Sequence, residues 1–259
     1  MVQIEGARLE YSRTGSGSTG APTLVLLHEG LGCVALWKRF PALVAAATGL
    51  EVVAYSRIGY GRSAPVLLPR PVHFMHDEAQ LLPRLLEALR IERVIVLGHS
   101  DGASIALIHA AEAAEPPMGT IAIAPHVFVE EQALVAIRNA AQRYRQSDLR
   151  SRLESYHGTN VDGAFWGWNQ VWLDPDFARW RIDDLLPAIR TPTMVIQGDA
   201  DPYGTLDHLD TIRERSGARV EECVLTGCGH APQFEQPDET LSAVCEFVAD
   251  LLADSEGGT

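Results

Sequence analysis

Five short apolar runs, none of them alternating with polar residues, constrain the fold of this chain most strongly. They are TLVLLHE (23–29), EVVAYS (51–56), RVIVLGHS (93–100), GTIAIAP (119–125) and TPTMVIQG (191–198). Strands that are buried on both faces of a parallel sheet have this continuous apolar character. Stretches with helical periodicity lie between the runs, as in HDEAQLLPRLLEALR and DGASIALIHAAEAA. Strands alternating with helices predict right-handed crossovers and an α/β fold with a doubly wound, mostly parallel sheet.

Two segments depart from this alternation. The start, QIEGARLEYSRTGSG, alternates polar and apolar residues and ends in turn residues, which predicts an antiparallel hairpin at an edge. Residues 126–186 contain no strand pattern, yet they hold four of the five tryptophans. We therefore expect a core of residues 1–125 and 187–259, interrupted by a helical insertion over 126–186. Its expected helices are about 129–144, 147–157, 161–174 and 175–185.

Charge and cysteine content restrict the partners and the compartment. The formal net charge is −13, which would repel nucleic acid and anionic lipid, so we expect neither as a partner. No apolar run approaches the ~18 residues of a membrane span, and the N-terminus lacks a signal-peptide pattern. The four cysteines show no CxxC pair and no metal-ligand grouping, so we expect reduced thiols in a cytoplasmic protein.

The stretch GHSDG places Ser100 between Gly98 and Gly102, directly after a predicted strand and before a predicted helix. A sharp strand-to-helix turn of this kind needs glycines and lifts the serine hydroxyl to the carboxyl edge of the sheet. It also leaves the first backbone N–H groups of the helix, beginning with Asp101, free to receive an oxyanion. A helix-capping serine is the alternative, but the flanking strand and helix favour a nucleophile.

A serine nucleophile needs a base that is oriented by an acid. His230 lies in the turn-rich loop TGCGHAPQFEQPDE, where it can reach the end of a neighbouring strand. Asp199 and Asp201 both follow the strand TMVI directly, so either could serve as the acid. The resulting chain order of serine, aspartate and histidine is the order found in hydrolases with a nucleophile elbow.

At these motifs the chain resembles the α/β-hydrolase family. LLHEG is similar to the family's oxyanion loop, SRIGYGRS to its D-x-R-G-x-G-x-S turn, and GHSDG to its nucleophile elbow. QGDADP is similar to the G-x-x-D acid loop, and GHAPQFEQP to the G-H-x-P-x-x-E-x-P histidine loop. The resemblance implies a triad of Ser100, Asp201 and His230, and residues 126–186 occupy the place of the family's cap.

The resemblance also implies the second oxyanion donor, and it is imperfect at two places. Asp101 and either Gly30 or Leu31 would supply the oxyanion N–H groups. Glu29 stands where many relatives have the first glycine of the oxyanion loop. Ser56 and Ile58 stand where relatives usually have Asp and Arg; this turn is structural, so we expect a lost ion pair and no lost activity.

The residues and the resemblance together predict a serine hydrolase, with carboxylic-ester hydrolysis of small acyl esters as the preferred reaction. This chemistry needs no metal or organic cofactor, and the expected partner is a small-molecule substrate. Because ligand pockets are lined with aromatic residues, we expect substrate contacts from Trp37, His126 and Trp166. A serine at the elbow, in place of aspartate, argues against haloalkane dehalogenase and epoxide hydrolase chemistry.

Two alternatives stay open from the sequence. Relatives with a similar cap hydrolyse carbon–carbon bonds in diketone products of aromatic-ring cleavage. Other family members act as ligand receptors with slow or no turnover. Turnover of a short p-nitrophenyl ester separates a receptor from an esterase, because a receptor would give one burst and little more.

Overall fold

The computed structural model describes residues 1–257, with side chains to residue 255, and its main element is a seven-stranded sheet. Gly258 and Thr259, the end of the segment predicted as the second part of the core, lie outside the described residues. The strands in chain order are β1 (Val2–Ile4), β2 (Ala7–Leu9), β3 (Tyr11–Thr14), β4 (Thr23–Leu27), β5 (Glu51–Tyr55), β6 (Val94–His99), β7 (Gly119–Ile123), β8 (Thr193–Gly198) and β9 (Val220–Leu225).

The order of the strands confirms the predicted α/β sheet. It is β3-β5-β4-β6-β7-β8-β9, with β3 antiparallel to β5 and every other neighbouring pair parallel. β1 and β2 form a separate antiparallel hairpin, so the N-terminal segment is antiparallel as its alternation predicted. The parallel order brings the carboxyl ends of β4, β6, β7 and β8 to one edge of the sheet.

Helices cover both faces of the sheet. They are α1 (Phe40–Thr48), α2 (Phe74–Leu89), α3 (Asp101–Glu112), α4 (Glu131–Gln146), α5 (Leu149–His157), α6 (Val161–Trp172), α7 (Asp207–Arg215), α8 (Pro232–Glu235) and α9 (Pro237–Gly257). Because successive strand residues point to opposite faces, Val25 and Leu27 of β4 pack with α2 and α3, whereas Leu24 and Leu26 pack with α1 and α9. Both faces are thus buried, which explains the continuous apolar runs. In the described part of the chain, no helix is long and apolar enough to cross a membrane.

The segment between β7 and β8 contains α4, α5 and α6, close to three of the expected helices. The fourth expected helix, over 175–185, is wrong. Only one turn of 3-10 helix forms there, at Phe177–Arg179. Arg181 instead pairs with Phe128 as an isolated antiparallel bridge, and the Ile182 N–H donates to the Val127 carbonyl at 2.8 Å. This extended pairing holds the returning chain against the segment that leaves β7, and an extended backbone excludes the helix.

Candidate active site

Ser100 occupies the turn between β6 and α3 in a strained backbone conformation. Its φ of 54° and ψ of −119° lie in a region that residues with a side chain rarely adopt. Glycines on both sides make the turn possible. A Cβ at Gly98 would overlap the Gly102 carbonyl, and a Cβ at Gly102 would overlap the Leu27 carbonyl of the neighbouring strand. The strain therefore holds the Ser100 hydroxyl above the carboxyl edge of the sheet, facing a cavity.

The structure brings Ser100, His230 and Asp201 together in one hydrogen-bonded line. The Ser100 hydroxyl lies 2.9 Å from Nε2 of His230, and Nδ1 of His230 lies 2.7 Å from Oδ2 of Asp201. Because a carboxylate only accepts, Nδ1 carries the proton and Nε2 is left to accept from the serine. Asp199, the other candidate acid, accepts the backbone N–H of Gly227 at 2.6 Å and has no contact with this line.

Asp201 is buried and its oxygens are satisfied. Oδ1 accepts the N–H of Tyr203 at 2.8 Å, and Oδ2 also accepts the side-chain amide of Gln197 at 2.9 Å. Burial acts to raise the pKa of Asp201, but the hydrogen bond from His230 and these two donors outweigh it, so the pKa lies below its usual value. The carboxyl is therefore ionised at neutral pH and orients the imidazole.

Hydrogen bonds made by the side chains of His99, Gln233 and Glu235 fix the loop that carries His230. Nε2–H of His99 donates to the His230 carbonyl at 2.7 Å, and the Gln233 amide donates to Nδ1 of His99 at 3.0 Å. The Glu235 carboxylate accepts the N–H groups of Gly229 and Ala231, at 2.8 and 2.9 Å, on either side of the histidine. The glutamate of the histidine-loop motif thus holds the turn on which the imidazole is placed.

The loop from Glu29 to Leu31 lines the same cavity as His230. Its first carbonyls are anchored in the core: Arg57 donates to the carbonyls of His28 and Glu29, the second at 3.1 Å. Nδ1–H of His28 donates to the same Glu29 carbonyl at 2.7 Å, because Nε2 of His28 accepts the Arg57 N–H at 3.1 Å. Within the described residues, no protein acceptor takes the N–H of Gly30 or Leu31.

Asp101, the residue after the serine, begins α3, so its N–H has no acceptor within the helix. Its side chain is buried in the cavity wall, where Oδ1 accepts the indole N–H of Trp172 at 3.1 Å. Burial raises the pKa of the Asp101 carboxyl, and the positive charge of Arg57 and the Trp172 bond offset part of that effect. The three candidates for the two oxyanion donors, Asp101 and either Gly30 or Leu31, therefore line one cavity.

Glu29 turns its side chain toward the same cavity. Its Oε2 lies 3.6 Å from Nδ1 of His99, and the side chain keeps about 27% of its surface exposed. Burial of its carboxyl acts to raise the pKa, but the neighbouring His99 outweighs it, so the pKa of Glu29 lies below its usual value. The departure from the family's glycine therefore places a carboxylate at the cavity.

The turn at residues 56–63 receives a carboxylate from elsewhere in the chain. Glu10 accepts the Ser56 hydroxyl at 2.8 Å and the Arg62 N–H at 3.0 Å. Ser56 in turn accepts the N–H of Val34 at 2.9 Å. Sequence reasoning missed Glu10, which lies between the short strands β2 and β3 and belongs to no motif. It compensates for the missing aspartate, so the turn keeps an acceptor for its backbone.

The cavity above Ser100 has a volume of about 270 Å³ and mostly apolar walls. α4 and α6 supply one wall, whereas the oxyanion loop, the elbow and the histidine loop supply the other. The lining residues are Glu29, Gly30, Leu31, His99, Ser100, Asp101, His126, Ala133, Ile137, Trp168, Trp172, Tyr203, His230, Ala231 and Phe234. Among these described residues the charged side chains other than histidine are two carboxylates, with no lysine or arginine.

His126, one of the three expected substrate contacts, lines the cavity. Its ring centre is 5.8 Å from that of His230 and 5.1 Å from that of Trp172. Burial, together with the neighbouring His208 and His230, lowers the pKa of His126 well below its usual value. Nδ1 has no hydrogen-bond partner in the described part of the protein, so the neutral ring keeps hydrogen-bonding capacity.

The structure places the other two expected substrate contacts, Trp37 and Trp166, away from the cavity. Trp37 ends a short 3-10 helix and stacks on Phe40 in the core, where only 2% of it is exposed. Trp166 packs its ring edge-on against Tyr144 and Phe165, with Arg145 over its face. Both tryptophans therefore serve packing.

Trp168 and Trp172 take the positions facing the site that were expected of Trp166. A four-residue spacing puts them on one face of α6, whereas Trp166 is about 200° around the helix from Trp168. Trp168 packs so closely on Gly30 that a Cβ there would overlap its indole ring. The spacing of the tryptophans along α6 shows which of them share a face. Only the orientation of the helix shows which face lines the cavity. Tyr203 and Phe234 carried no such signal.

The site thus combines a hydroxyl, an imidazole oriented by a carboxylate, backbone N–H groups without an acceptor in the described residues, and a small apolar cavity. Within the described residues, no group of three or more His, Cys, Asp or Glu side chains is arranged to hold a metal ion. Acyl transfer through a serine needs these same components. Fold and site together define a hydrolase with an α/β sheet.

Comparison with known proteins identifies the family. The profile of the Alpha/beta hydrolase family matches residues 24–243, and the chain belongs to this family. Human (Homo sapiens) serine hydrolase BPHL is 27% identical over 228 residues, covering 85% of this chain and 76% of that protein. The 2-hydroxy-6-oxo-6-phenylhexa-2,4-dienoate hydrolase of Comamonas testosteroni is 23% identical, covering 93% of this chain and 91% of that hydrolase.

The fold agrees with solved structures. The enol-lactonase from Burkholderia xenovorans superposes with a TM-score of 0.72 at 20% identity, covering 95% of this chain and 98% of the lactonase. At this identity the likeness describes the fold. Since the named relatives in sequence are hydrolases, the protein is an enzyme, a hydrolase of the α/β family.

Proposed function

We propose that this protein is a serine hydrolase that cleaves small carboxylic esters through an acyl-enzyme. The observation that carries the proposal is the continuous line from Ser100 through His230 to Asp201, with contacts of 2.9 and 2.7 Å. Nε2 of His230 takes the hydroxyl proton while Oγ of Ser100 bonds to the ester carbon. The proton then passes to the leaving alcohol, and Asp201 stabilises the imidazolium in between.

The oxyanion formed at the carbonyl oxygen needs donors that are in place before the reaction. We assign this role to the N–H of Asp101 together with that of Gly30 or Leu31. In the second half of the reaction, water attacks the acyl-enzyme carbon and gives its proton to His230, which returns it to Ser100. Ester and water thus give acid and alcohol, and no redox partner or cofactor enters the balance.

The volume and lining of the cavity favour a substrate with a small, uncharged acyl group. Its volume of about 270 Å³ and its walls from Trp168, Trp172 and Ile137 suit a short apolar chain. The neutral His126 ring is the proposed hydrogen-bonding contact for the substrate. Glu29 and Asp101, with no cationic side chain in the lining, disfavour a substrate that carries a carboxylate.

Carbon–carbon hydrolysis is the second candidate, and the likeness to the Comamonas testosteroni hydrolase favours it. The dienoate in that relative's name is an anion, and a binding site for an anion needs cationic side chains or several N–H donors. The two carboxylates of this cavity therefore weigh against the second reaction. A third possibility, a ligand receptor without turnover, fits poorly with a fully aligned triad.

One set of assays tests the proposal. Purified protein should turn over p-nitrophenyl butyrate many times, form a phosphonate adduct located on Ser100 by mass spectrometry, and leave ring-cleavage dienoates largely intact. Efficient dienoate cleavage beside poor ester turnover would select the carbon–carbon reaction. A single burst without further turnover would select the receptor.

The partner and the compartment form part of the same proposal. We propose a small-molecule substrate as the partner. The four cysteines are free thiols, with Cys33 and Cys228 buried. Reduced cysteines are typical of a reducing compartment, which supports a cytoplasmic location.

A further inference from the structure

His157 connects the inserted helices to the oxyanion loop. It ends α5, is about 98% buried, and makes two hydrogen bonds to two different segments of the core. Nδ1 lies 3.0 Å from the backbone nitrogen of Gly61, and Nε2 lies 3.0 Å from the carbonyl oxygen of Leu31. Leu31 is one of the two candidates for the second oxyanion donor, so this contact ends on the site itself.

The two contacts fix the protonation of the ring. Because the Gly61 N–H can only donate, Nδ1 must accept and carry no proton. The proton is therefore on Nε2, which donates to the Leu31 carbonyl. Burial lowers the pKa of His157, and the Leu31 carbonyl and the carboxylates of Glu29 and Glu10 offset part of that effect. The ring is thus held neutral in the one tautomer that satisfies both partners.

The oxyanion loop is held from two sides. Arg57 and His28 hold the carbonyls at the start of the loop, at His28 and Glu29, from within the core. His157 holds the carbonyl at its end, at Leu31, from the inserted segment. The N–H of Gly30 shares a peptide plane with the Glu29 carbonyl, whereas the N–H of Leu31 lies one peptide plane before the carbonyl that His157 holds. The N–H of Gly32, in the plane of that carbonyl, closes the turn by donating to the Glu29 carbonyl at 3.0 Å. Both anchors therefore act on the turn that contains the two candidate donors.

We propose that His157 is a positioning residue for the oxyanion hole: its Nε2–H sets the orientation of the Leu31 peptide and thereby the reactivity of Ser100. This inference rests on the proposed function, because it needs an oxyanion to form at the loop. It makes the inserted segment a part of the transition-state machinery as well as a wall of the cavity.

Asn160 provides a control from the same junction. Its amide donates to the carbonyls of Gly61 and Ser63 at 3.2 and 2.8 Å, and it is likewise buried. These bonds dock the inserted segment on the 56–63 turn without touching the oxyanion loop. Loss of Asn160 therefore measures what docking alone contributes.

Three variants separate positioning from docking. The amide oxygen of Asn in His157→Asn replaces Nδ1 and keeps the Gly61 contact, whereas its side chain is too short for Leu31. The longer amide in His157→Gln reaches the place of Nε2 and can donate to Leu31. Asn160→Ala removes only docking bonds. Each is compared with the wild type by kcat and KM for p-nitrophenyl butyrate, by the rate of Ser100 inactivation with a phosphonate, and by Tm.

The positioning role predicts a specific pattern. His157→Asn should lower kcat and the inactivation rate by about tenfold or more, as for a misplaced oxyanion donor, with KM within about twofold. His157→Gln should restore both rates to within about threefold of wild type, and Asn160→Ala should lower Tm while keeping kcat within about twofold. Unchanged rates in His157→Asn, or an equal loss of kcat in Asn160→Ala, would overturn the inference.

The inactivation rate keeps the test independent of the best substrate, because it reports the reactivity of Ser100 directly. Wild-type protein that neither hydrolyses esters nor reacts with the phosphonate contradicts the proposed function, and the inference with it. Wild-type activity that is lost in Ser100→Ala but indifferent to His157→Asn contradicts only the positioning role.

Discussion

The Ser100 hydroxyl and Nε2 of His230 lie 2.9 Å apart, although 130 residues separate them in the chain. The contact forms because β6 and β8 carry their carboxyl ends to the same edge of the sheet, with β7 between them. The loop after β9 then returns His230 to that edge, where the His99 side chain holds its carbonyl. The sheet order thus determines the reactive pair.

Ser100→Ala should abolish ester turnover and leave the fold intact. Triad members act as a unit, so we expect a loss of about 10⁴-fold or more in kcat. Initial rates with p-nitrophenyl butyrate and the thermal unfolding curve check both parts. Ser242→Ala is the matched control, since Ser242 is exposed on α9 and its hydroxyl, among the described residues, bonds only to Glu246. A Ser100→Ala variant that keeps most of its activity would exclude a covalent route through this serine.

Two neighbouring aspartates offer a matched test of the acid. Asp201→Asn should lower kcat by several orders of magnitude, because Asp201 holds Nδ1 of His230 and an amide selects the wrong tautomer. Asp199→Asn should be mild, since Asp199 only accepts the N–H of Gly227. The two variants have the same change of charge two residues apart. Equal losses, or the reverse ranking, would show that the orienting role is assigned to the wrong residue.

The fold and the three residues of the hydrogen-bonded line could be predicted from the sequence. The five apolar runs became β4 to β8, because burial on both faces of a parallel sheet leaves a continuous apolar pattern. Ser100, Asp201 and His230 each follow a strand in a short glycine-rich motif, so local sequence carries their geometry. β9 alternates burial along its length, as an edge strand does, and its pattern was correspondingly weaker.

The cavity was predicted less well, because it depends on how helices are oriented. Trp166 and Trp168 are tryptophans of the same helix, so composition does not distinguish them. The rotation of α6 about its axis decides which one faces Ser100. His157 and Glu10 belong to no motif, since they act through contacts with residues 126 and 46 positions away. Trp37 was close in sequence to the oxyanion loop, but a 3-10 turn directs it into the core.

Trp168 should control which acyl chains enter. Its indole packs on Gly30 at the cavity, so Trp168→Phe should make room and raise the octanoate-to-butyrate ratio of kcat/KM several-fold. Trp166→Phe, the same change on the other side of α6, should leave that ratio unchanged, because Trp166 packs on Tyr144 and Phe165. Steady-state kinetics with the two p-nitrophenyl esters measures both. A shift in Trp166→Phe alone would place the acyl pocket elsewhere.

The carboxylate of Glu29 should select against anionic substrates. Wild-type protein should prefer p-nitrophenyl butyrate to the hemisuccinate, and Glu29→Gln should narrow that preference by at least about fivefold, as expected for charges several ångströms apart at an effective dielectric constant near 20. The difference should shrink in high salt. Glu246→Gln on α9 is the control, since that side chain is exposed and, within the part of the chain that the structure describes, bonds only to Ser242. An equal change in both variants would mean that net charge alone sets the preference.

Buried histidines should make the stability of the protein fall on the acid side. Burial lowers the pKa of His28, His126, His109 and His157 below the usual value near 6.5. In the unfolded chain these side chains bind protons below about pH 6.5, whereas in the fold they stay neutral to lower pH. The unfolded state then binds more protons than the folded state. The contribution of these histidines to the free energy of unfolding is therefore complete above about pH 6.5 and is lost as the pH falls below that value.

His109→Leu isolates this effect away from the active site. His109 packs in α3 with 2% of its surface exposed, and within the described residues neither ring nitrogen has a hydrogen-bond partner. Leucine fills a similar volume without a titrating group, so the variant should lose less free energy of unfolding between pH 7.5 and 5.5, by on the order of 1 kcal/mol. Urea unfolding at both pH values measures the difference, with exposed His73→Leu as the control. The explanation fails if His109→Leu keeps the pH dependence of the wild type, since the acid-side loss would then come from other groups.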